Sequence, residues 1–549
     1  MQDWQRSVIY QIYPKSFHSH AGNPTGDLLG VVDKLDYLHW LGVDCLWITP
    51  FLRSPQRDNG YDISDYYAID PSYGTMADCE LLIAEAGKRG IKLMLDIVVN
   101  HTSIEHTWFQ QARSSLDNPY RDFYIWRDQP NNWESKFGGS AWEYEAQTGQ
   151  YFLHLFDHTQ ADLNWDNPQV RAEVFKMMRF WRDKGVGGFR LDVINLISKP
   201  ADFPEDNSDG RRFYTDGPNI HQYLQQMHRE VFEGHDLINV GEMSSTRLEH
   251  CIRYSRPDSK ELSMTFNFHH LKVDYPNLQK WIRADFDFLE LKRILSDWQT
   301  GMQAGGGWNA LFWCNHDQPR VVSRFGNDGE HRVVSAKMLA TALHFLQGTP
   351  FVYQGEELGM TNPGFDQIDQ YRDVETLNIH RLKREAGVSD ADNMAAIMQK
   401  SRDNGRTPMQ WNSGPNAGFS VTKPWIGVPA NAAQINVAAQ LEDPDSVLHH
   451  YRRLIALRRC EALMLDGVYR QLLPEHSQIW AYVREGDGER LLVLNNFHGS
   501  PCEVELSEEV INEAMTQRLV ISNYQDCAER TRHIRLRPYE SFVLHLINH

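Results

Sequence analysis

The chain has little of what membrane or secreted proteins carry. Seven cysteines, an odd number, are scattered over 549 residues without a CxxC pair, which argues for reduced thiols rather than a disulfide framework or a zinc site. No uninterrupted apolar run approaches the roughly 20 residues that a membrane span needs. The start, MQDWQRSVIYQIYPKSF, lacks the basic-then-apolar pattern of a secretion signal. We therefore expect a cytoplasmic protein.

Basic residues are also scarce. Lysine and arginine total 55 against 73 aspartate and glutamate residues, a net charge of −18. Non-specific binding to nucleic acid or to anionic lipid depends on a basic surface, so neither is an expected partner. An anionic substrate would need a local group of cations. The chain also has no internal repeat and no low-complexity segment.

What the sequence does contain is an alternation of strand-like and helix-like segments. VIYQIY (8–13) is a short β-branched and aromatic run, and 28–42 has apolar residues at helical spacing before the next strand-like run. The same rhythm leads to the strand 91–100 and resumes over 170–194 and 308–357. Strands separated by helices predict βαβ units and a parallel sheet. For a chain of this size we expect a (β/α)8 TIM barrel.

Two segments break this rhythm. Residues 101–168 are rich in aromatic, Asn and Gly residues, and short alternating runs follow from about residue 470. We therefore predict a barrel made of 1–100 and 169–469, a small domain inserted after the third strand (101–168), and a C-terminal antiparallel β-sandwich (470–549).

Polar clusters end several of the strand-like segments. The active site of a β/α barrel is built from the C-terminal ends of its strands and the loops that follow, so acids from different clusters can share one cleft. The clusters are DIVVNH (96–101), GFRLDV (188–193), VGEM (240–243) and NHDQPR (315–320).

Converging carboxylates suit cleavage of a glycosidic bond. One ionised carboxylate attacks the anomeric carbon, while a second, kept protonated by its surroundings, donates to the leaving oxygen. Arg190 lies two residues before Asp192 and so projects from the same strand face, where its charge favours an ionised nucleophile. Glu242, in the apolar VGEM segment, is the better candidate for the general acid.

The four clusters resemble the four signature regions of the α-amylase family of glycoside hydrolases, and the similarity covers nearly the whole chain. The resemblance implies that Asp192 is the nucleophile, Glu242 the general acid/base and Asp317 the acid that binds the glucosyl hydroxyls. It also implies that three further residues hydrogen-bond the sugar and the nucleophile: Arg190, His101 and His316.

A lid over the non-reducing end is implied by two further motifs. Tyr61 and Asp62 of NGYDI, with Arg406 of SRDNGRTPMQW, resemble the lid of exo-acting α-glucosidases. An Asp–Arg pair that closes over one glucose would block chain extension, so the enzyme would remove one unit at a time. Arg402, in the same motif, is the alternative to Arg406.

The substrate class follows from the resemblance alone. Val193 and QADLNW (160–165) resemble the oligo-1,6-glucosidase branch, and within it NNWESKFGGSAW (131–142) and the segment 261–281 are similar to enzymes that hydrolyse trehalose 6-phosphate. The alternatives are an oligo-1,6-glucosidase acting on neutral isomaltose-type sugars, a trehalose-forming isomerase, and an inactive barrel that binds a partner. The last would have a membrane anchor and would lack the acids.

The segment 261–281 also supplies cations next to the acid/base strand. A phosphate favours charge-assisted hydrogen bonds, and we expect Lys272 and Lys280 to bind it, rather than His269 and His270, whose charge at neutral pH is uncertain. The alternative is an ordinary solvated basic loop.

The loop 18–30 departs from the family pattern. Where related enzymes often have a calcium loop, HSHAGNPTGDLLG keeps Asp27 and lacks the other carboxylates. Calcium needs several oxygen ligands, so we expect no required metal and no cofactor.

Overall fold

The structure is a computed structural model that describes residues 3–526 and 531–547. Six of the seven cysteines lie in this part and are free thiols, whereas Cys527 lies outside the described residues. Among the described residues, no helix has both the length and the apolar character to cross a membrane.

Eight parallel strands form a closed barrel, which confirms the predicted fold class. The hydrogen-bonded order is β6-β5-β4-β3-β2-β1-β8-β7, and a parallel bridge from Thr265 in β6 to Asn309, next to β7, joins the two ends of the sheet. Helices cover the outer face and side chains fill the inside, so the strands are almost continuously buried. The strands are β1 (Ile9–Ile12), β2 (Cys45–Ile48), β3 (Lys92–Ile97), β4 (Gly188–Leu191), β5 (Ile238–Glu242), β6 (Met264–Phe266), β7 (Ala310–Leu311) and β8 (Thr349–Tyr353).

The helix Pro168–Asp183 shows why the outer elements form. Asn167 caps it by accepting from the N–H of Gln169, and proline opens its first turn, where no intrahelical N–H bond is lost. Val174, Met178 and Trp181 recur at helical spacing and are buried against the barrel. The α-helices are Leu28–Asp33, Leu35–Leu41, Met76–Lys88, Thr107–Ser114, Pro168–Asp183, Arg211–Tyr214, Ile220–Met227, Leu248–Ser255, Phe288–Gly305, Val321–Phe325, Arg332–His344, Val374–Glu385, Asp390–Lys400, Val437–Leu441, Val447–Cys460 and Leu463–Asp466.

Short 3-10 helices and one π-helical turn complete the helical elements. The π-helical turn is His228–Phe232, directly after the helix that ends at Met227. The 3-10 helices are Asp3–Arg6, Pro14–Ser16, Arg121–Phe123, Ile194–Leu196, Pro257–Ser259, His269–Lys272, Pro276–Leu278, Glu356–Leu358, Ile368–Gln370, Arg402–Gly405 and Pro415–Gly418.

The segment after β3 forms small antiparallel sheets. His101–Ser103 pairs with Gln160–Asp162, so the two ends of this segment lie side by side next to β3. Between them, one three-stranded sheet is made of Trp126–Arg127, Gln150–Leu153 and Trp142–Glu145. A further pair, Leu52–Arg53 with Asp65–Ile69, follows β2. The domain limits given above stay predictions.

The C-terminal part is antiparallel, as predicted. A five-stranded sheet and a two-stranded sheet pack on a shared apolar core that includes Val483 and Leu492 from the first and Val504 and Ile534 from the second. In sheet order the strands are Val468–Leu472, Ile479–Gly486, Glu489–Asn496, Ser541–Ile547 and Thr516–Ser522, then Cys502–Glu505 and His533–Leu536.

Candidate active site

Arg190 of β4 lies at the centre of the carboxylates. Its side chain is buried, and its Nη1 lies 2.6 Å from Oδ1 of Asp192 and 2.9 Å from Oδ1 of Asp96, while Nη2 contacts Glu242. Asp96 lies in β3 and Glu242 ends β5, the two strands that flank β4. One guanidinium thus holds three acids from three adjacent strands at the C-terminal end of the barrel.

Burial and neighbouring charges shift the pKa of Asp192 and of Asp96. Burial raises the pKa of Asp192 well above its usual range, Arg190 lowers it, and the carboxyl groups of Glu242 and Asp96 raise it again. Burial likewise raises the pKa of Asp96 to about 6, although Arg190 opposes the shift. This differs from the expectation that the charge of Arg190 holds Asp192 ionised.

Asp317, in the loop after β7, is instead surrounded by cations. Its Oδ1 lies 2.8 Å from Arg406 and 3.3 Å from Arg402, and its Oδ2 lies 3.2 Å from Nε2 of His316. Burial alone would raise the pKa of Asp317, but the charges of Arg402 and Arg406 outweigh burial and hold it well below its usual range. Asp317 is therefore a permanently ionised hydrogen-bond acceptor, and its side chain remains 30% exposed to the cleft.

The two histidines are neutral. Burial lowers the pKa of His316 to about 3 and that of His101 to about 4. Tyr61 stacks on the ring of His316, with centroids 5.2 Å apart, and donates its hydroxyl to Asp96 at 2.9 Å. His101 contacts the carbonyl oxygen of Tyr61 at 3.2 Å. These predicted sugar-binding residues therefore form one packed wall beside Arg190.

The lid motifs meet in a different combination from the expected one. Arg402 lies 3.3 Å from Asp58, whereas Asp62 accepts hydrogen bonds from its own loop, at 2.9 Å from the hydroxyl of Ser54 and 3.1 Å from the N–H of Asp58. Arg406 instead pairs with Asp317 at 2.8 Å. The Asp–Arg pair that the structure forms between these motifs is Asp58 with Arg402.

Buried carboxylates hold Arg402 in place. Asp373 holds Arg402 at 2.6 Å and Arg406 at 3.4 Å, and these arginines bring the pKa of Asp373 below its usual range although burial opposes them. Burial raises the pKa of Asp58 to about 7, with Arg402 lowering it. Asp373 is thus the main partner of Arg402, and Asp58 is its second, more weakly acidic partner.

The two lysines expected to bind phosphate lie in different surroundings. Lys280 pairs with Glu375 at 2.7 Å, and the same carboxylate oxygen lies 3.5 Å from Nε of Arg402. Lys272 has no ion pair among the described residues, and burial lowers its pKa, with Arg211 adding to the effect. It lines a cavity of about 410 Å³ together with His269.

Asp27 is the one carboxylate in the loop 18–30, and backbone groups contact it. Asp27 accepts from the N–H groups of His20, Ala21 and Gly30, the last as the cap of the helix that follows. Its oxygens are therefore used by backbone donors. In residues 3–526 and 531–547 there is no group of three His, Cys, Asp or Glu side chains placed to hold a metal ion.

The family of the chain follows from sequence models. The model of the alpha amylase catalytic domain matches residues 11–467, and that of the alpha-amylase SusG C-terminal domain matches residues 479–543. The chain belongs to the α-amylase family of glycoside hydrolases. Both the barrel and the C-terminal sheet are therefore parts of this family's architecture.

Individual family members are similar over their full length. The chain is 57% identical to trehalose-6-phosphate hydrolase of Bacillus subtilis (strain 168) over 99% of the chain and 98% of that protein, and 49% identical to oligo-1,6-glucosidase of Parageobacillus thermoglucosidasius over 98% of each. The crystal structure of a Bacillus licheniformis trehalose-6-phosphate hydrolase mutant shares 56% identity and a TM-score of 0.98, with 100% of both chains covered.

Several residues of this α-amylase-family site were not singled out from the sequence. Asp96 begins the strand-end cluster 96–101, but the sequence does not show that it faces Arg190. Asp58 lies three residues before Tyr61, and only the fold brings Asp58, rather than Asp62, to Arg402. Asp373 caps the helix Val374–Glu385, and no signal in the sequence points to its contact with Arg402.

Proposed function

We propose that this chain hydrolyses trehalose 6-phosphate to glucose and glucose 6-phosphate with retention of configuration. The observation that carries the retaining mechanism is the contact of one guanidinium, Arg190, with both Asp192 and Glu242. Retaining enzymes need their two carboxyl groups about 5–5.5 Å apart, closer than inverting enzymes do. The trehalose-6-phosphate hydrolases at 56–57% identity support the substrate.

Each acid then has a distinct task. Glu242 protonates the glycosidic oxygen while Asp192 attacks the anomeric carbon, so that glucose 6-phosphate leaves and a covalent glucosyl-enzyme forms. Glu242, now ionised, removes a proton from water, and that water releases glucose from Asp192.

The remaining residues position the glucosyl unit. We assign hydroxyl binding to Asp317, which is ionised, and to the neutral imidazoles of His101 and His316. Tyr61 offers an aromatic face beside them. We assign closure over the non-reducing end to Asp58 and Arg402, because they form the Asp–Arg pair across the lid.

The phosphate requires cations because the chain carries a net charge of −18. Lys272 and Lys280 remain our proposed ligands, and each charge-assisted contact would contribute about 1.5–3 kcal/mol. A phosphorylated sugar is an intracellular type of substrate, and the free thiols of the described residues suit a reducing compartment. We therefore propose a cytoplasmic location and no nucleic-acid or membrane partner.

One preparation tests the reaction and its rivals. Purified protein should cleave trehalose 6-phosphate far faster than isomaltose, and NMR in early turnover should show α-glucose. A preference for isomaltose would favour the oligo-1,6-glucosidase, β-glucose would exclude the retaining mechanism, and rearranged disaccharides would indicate an isomerase.

A matched pair of variants tests the nucleophile. Asp192→Asn should lower turnover by a thousandfold or more, on the order of what loss of a covalent nucleophile costs, and the remaining protein should still bind glucose 6-phosphate. Lys176→Met, on the outer face of the helix Pro168–Asp183, is the control. An Asp192→Asn enzyme with a tenth of the original rate would contradict the assignment.

A further inference from the structure

Lys136 is a cation without an anionic partner next to the acid/base. Its Nζ donates to the hydroxyl of Ser244 at 2.9 Å, and Ser244 follows Glu242 by two residues. Its ammonium makes no ion pair with any residue in the described part of the chain, and its other close neighbour is the ring of Tyr214, 5.5 Å away. A charge that is partly withdrawn from water is costly unless it is paired.

The position of Lys136 is fixed by the backbone. The N–H of Lys136 donates to the carbonyl of Leu155 at 2.8 Å, and the hydroxyl of Ser135 donates to the carbonyl of Phe156 at 2.6 Å. On the other side of the contact, the side-chain amide of Asn195 holds the backbone of Ser244. It donates to the carbonyl oxygen of Ser244 and accepts from the N–H of Ser244, each at 2.9 Å. Two anchored loops therefore bring the ammonium of the inserted segment to the end of β5.

Two other cations act on this ammonium. Burial, the largest cause, lowers the pKa of Lys136 to about 7, and the charges of Arg211 and Lys272 add to the effect. Asp209 and Glu242 are the acids that oppose this, and Asp209 already pairs with Arg211 at 3.3 Å. Three cations therefore face two acids, one of them already paired, so the site is locally positive in a strongly acidic protein.

We propose that Lys136 binds the phosphate of the leaving sugar, with Lys272 as its neighbour, and so determines the preference for a phosphorylated substrate. This rests on the proposed function, since the leaving group there is a sugar phosphate. The leaving oxygen must lie at Glu242, and the phosphate is one sugar ring away, on the side where the inserted segment and the loops after β5 and β6 meet. A phosphate would provide the counter-charge that this site lacks.

Binding of the phosphate should also change protonation. A phosphate monoester has its second pKa near 6, so at neutral pH it is largely a dianion that stabilises the ammonium form of Lys136. The free protein, with the pKa of Lys136 at about 7, takes up a proton when the phosphate binds. Affinity for the phosphate should therefore weaken as the pH rises above 7, where the unbound lysine becomes neutral.

Kinetics of matched variants test the assignment. We expect Lys136→Met to lower the ratio of kcat/KM for trehalose 6-phosphate to kcat/KM for a neutral chromogenic α-glucoside by about ten- to a hundredfold, the range of one charge-assisted contact. Lys136→Arg should restore most of the ratio, because it keeps the charge. Lys176→Met, a lysine paired with Glu173 at 3.3 Å on an outer helix, is the control for loss of one positive charge.

Calorimetry supplies a readout that does not depend on turnover. Glucose 6-phosphate should bind the wild type with uptake of a proton at pH 7.5, measured in two buffers of different ionisation enthalpy, and the uptake should disappear in Lys136→Met. Glucose is the neutral control ligand. Unchanged proton uptake in a folded Lys136→Met protein would overturn the inference.

The outcomes separate this inference from the proposed function. A wild type without preference for trehalose 6-phosphate would contradict the function itself. A wild type with that preference and a Lys136→Met variant that keeps it would contradict only the role of Lys136. An equal loss on both substrates would mean that Lys136 acts on the acid/base or on the fold, which also contradicts phosphate binding.

Discussion

The backbone N–H of Val193 donates to the carboxylate of Glu242 at 3.3 Å. Val193 does so from the left-handed region, with φ 36° and ψ 40°, which is rare for a β-branched residue. The residue after the proposed nucleophile therefore holds the proposed acid/base, and this turn is maintained by the packing of Val193 with Leu196 and Tyr214. Strain of this kind is often found at functional sites.

Substitutions at Val193 test this contact. Val193→Gly keeps the N–H and tolerates the positive φ, so we expect it to retain measurable activity, within about tenfold. Val193→Pro removes the donor and cannot adopt this φ, so we expect a loss of a hundredfold or more in kcat. Circular dichroism should show that both variants are folded. Equal activity in the two folded variants would mean that the N–H has no role.

The pKa of the proposed nucleophile depends on a second buried carboxylate. Burial raises the pKa of Asp192 most, and the charge of Asp96 adds to the shift, so Asp96→Asn should lower that pKa. Asp192 must be ionised to attack, so the acidic limb of the kcat/KM profile on a neutral chromogenic glucoside should move toward lower pH. The profile of the wild type, measured beside it, is the reference. An acidic limb that stays in place or moves upward would contradict the effect of Asp96 on Asp192.

The lid prediction separates two arginines of one motif. Arg402→Ala leaves Asp373 with one cation instead of two and opens the contact with Asp58. Removing one partner of a buried ion pair costs about 3–5 kcal/mol, so we expect a lower melting temperature and also cleavage of longer or extended glucosides that the closed lid excludes. Arg406→Ala removes a contact to Asp317 and should lower kcat/KM without admitting extended substrates. The same product pattern in both variants would contradict the assignment of the lid.

The sequence allowed the barrel and the three main acids to be predicted because each carries a local signal. Strand-helix alternation fixes the barrel, and Asp192, Glu242 and Asp317 each end a strand-like run. Contacts between side chains that are far apart in the sequence have no such local signal. Nothing in NGYDI tells which of its neighbouring acids meets Arg402. Lys136 reaches Ser244, two residues after Glu242, only because the segment that follows β3 folds back over the barrel.

The two lysines of the segment 261–281 should behave differently from each other. Lys272 has no ion pair in the described part of the chain, so Lys272→Ala should lower kcat/KM for trehalose 6-phosphate about tenfold, and added salt should weaken the remaining preference, because screening acts on the charged contact.

Lys280 instead pairs with Glu375, whose carboxylate also lies near Arg402. In Lys280→Ala, Glu375 keeps only Arg402 as a cationic neighbour, and this changes the surroundings of the lid arginine. We therefore expect kcat/KM to fall on the neutral chromogenic glucoside as well as on trehalose 6-phosphate. The double variant should lose about a hundredfold on the phosphorylated substrate. Steady-state kinetics of the two single variants on both substrates distinguish these roles. A Lys280→Ala enzyme that loses activity only on the phosphorylated substrate would mean that the pair of Lys280 with Glu375 has no effect on Arg402.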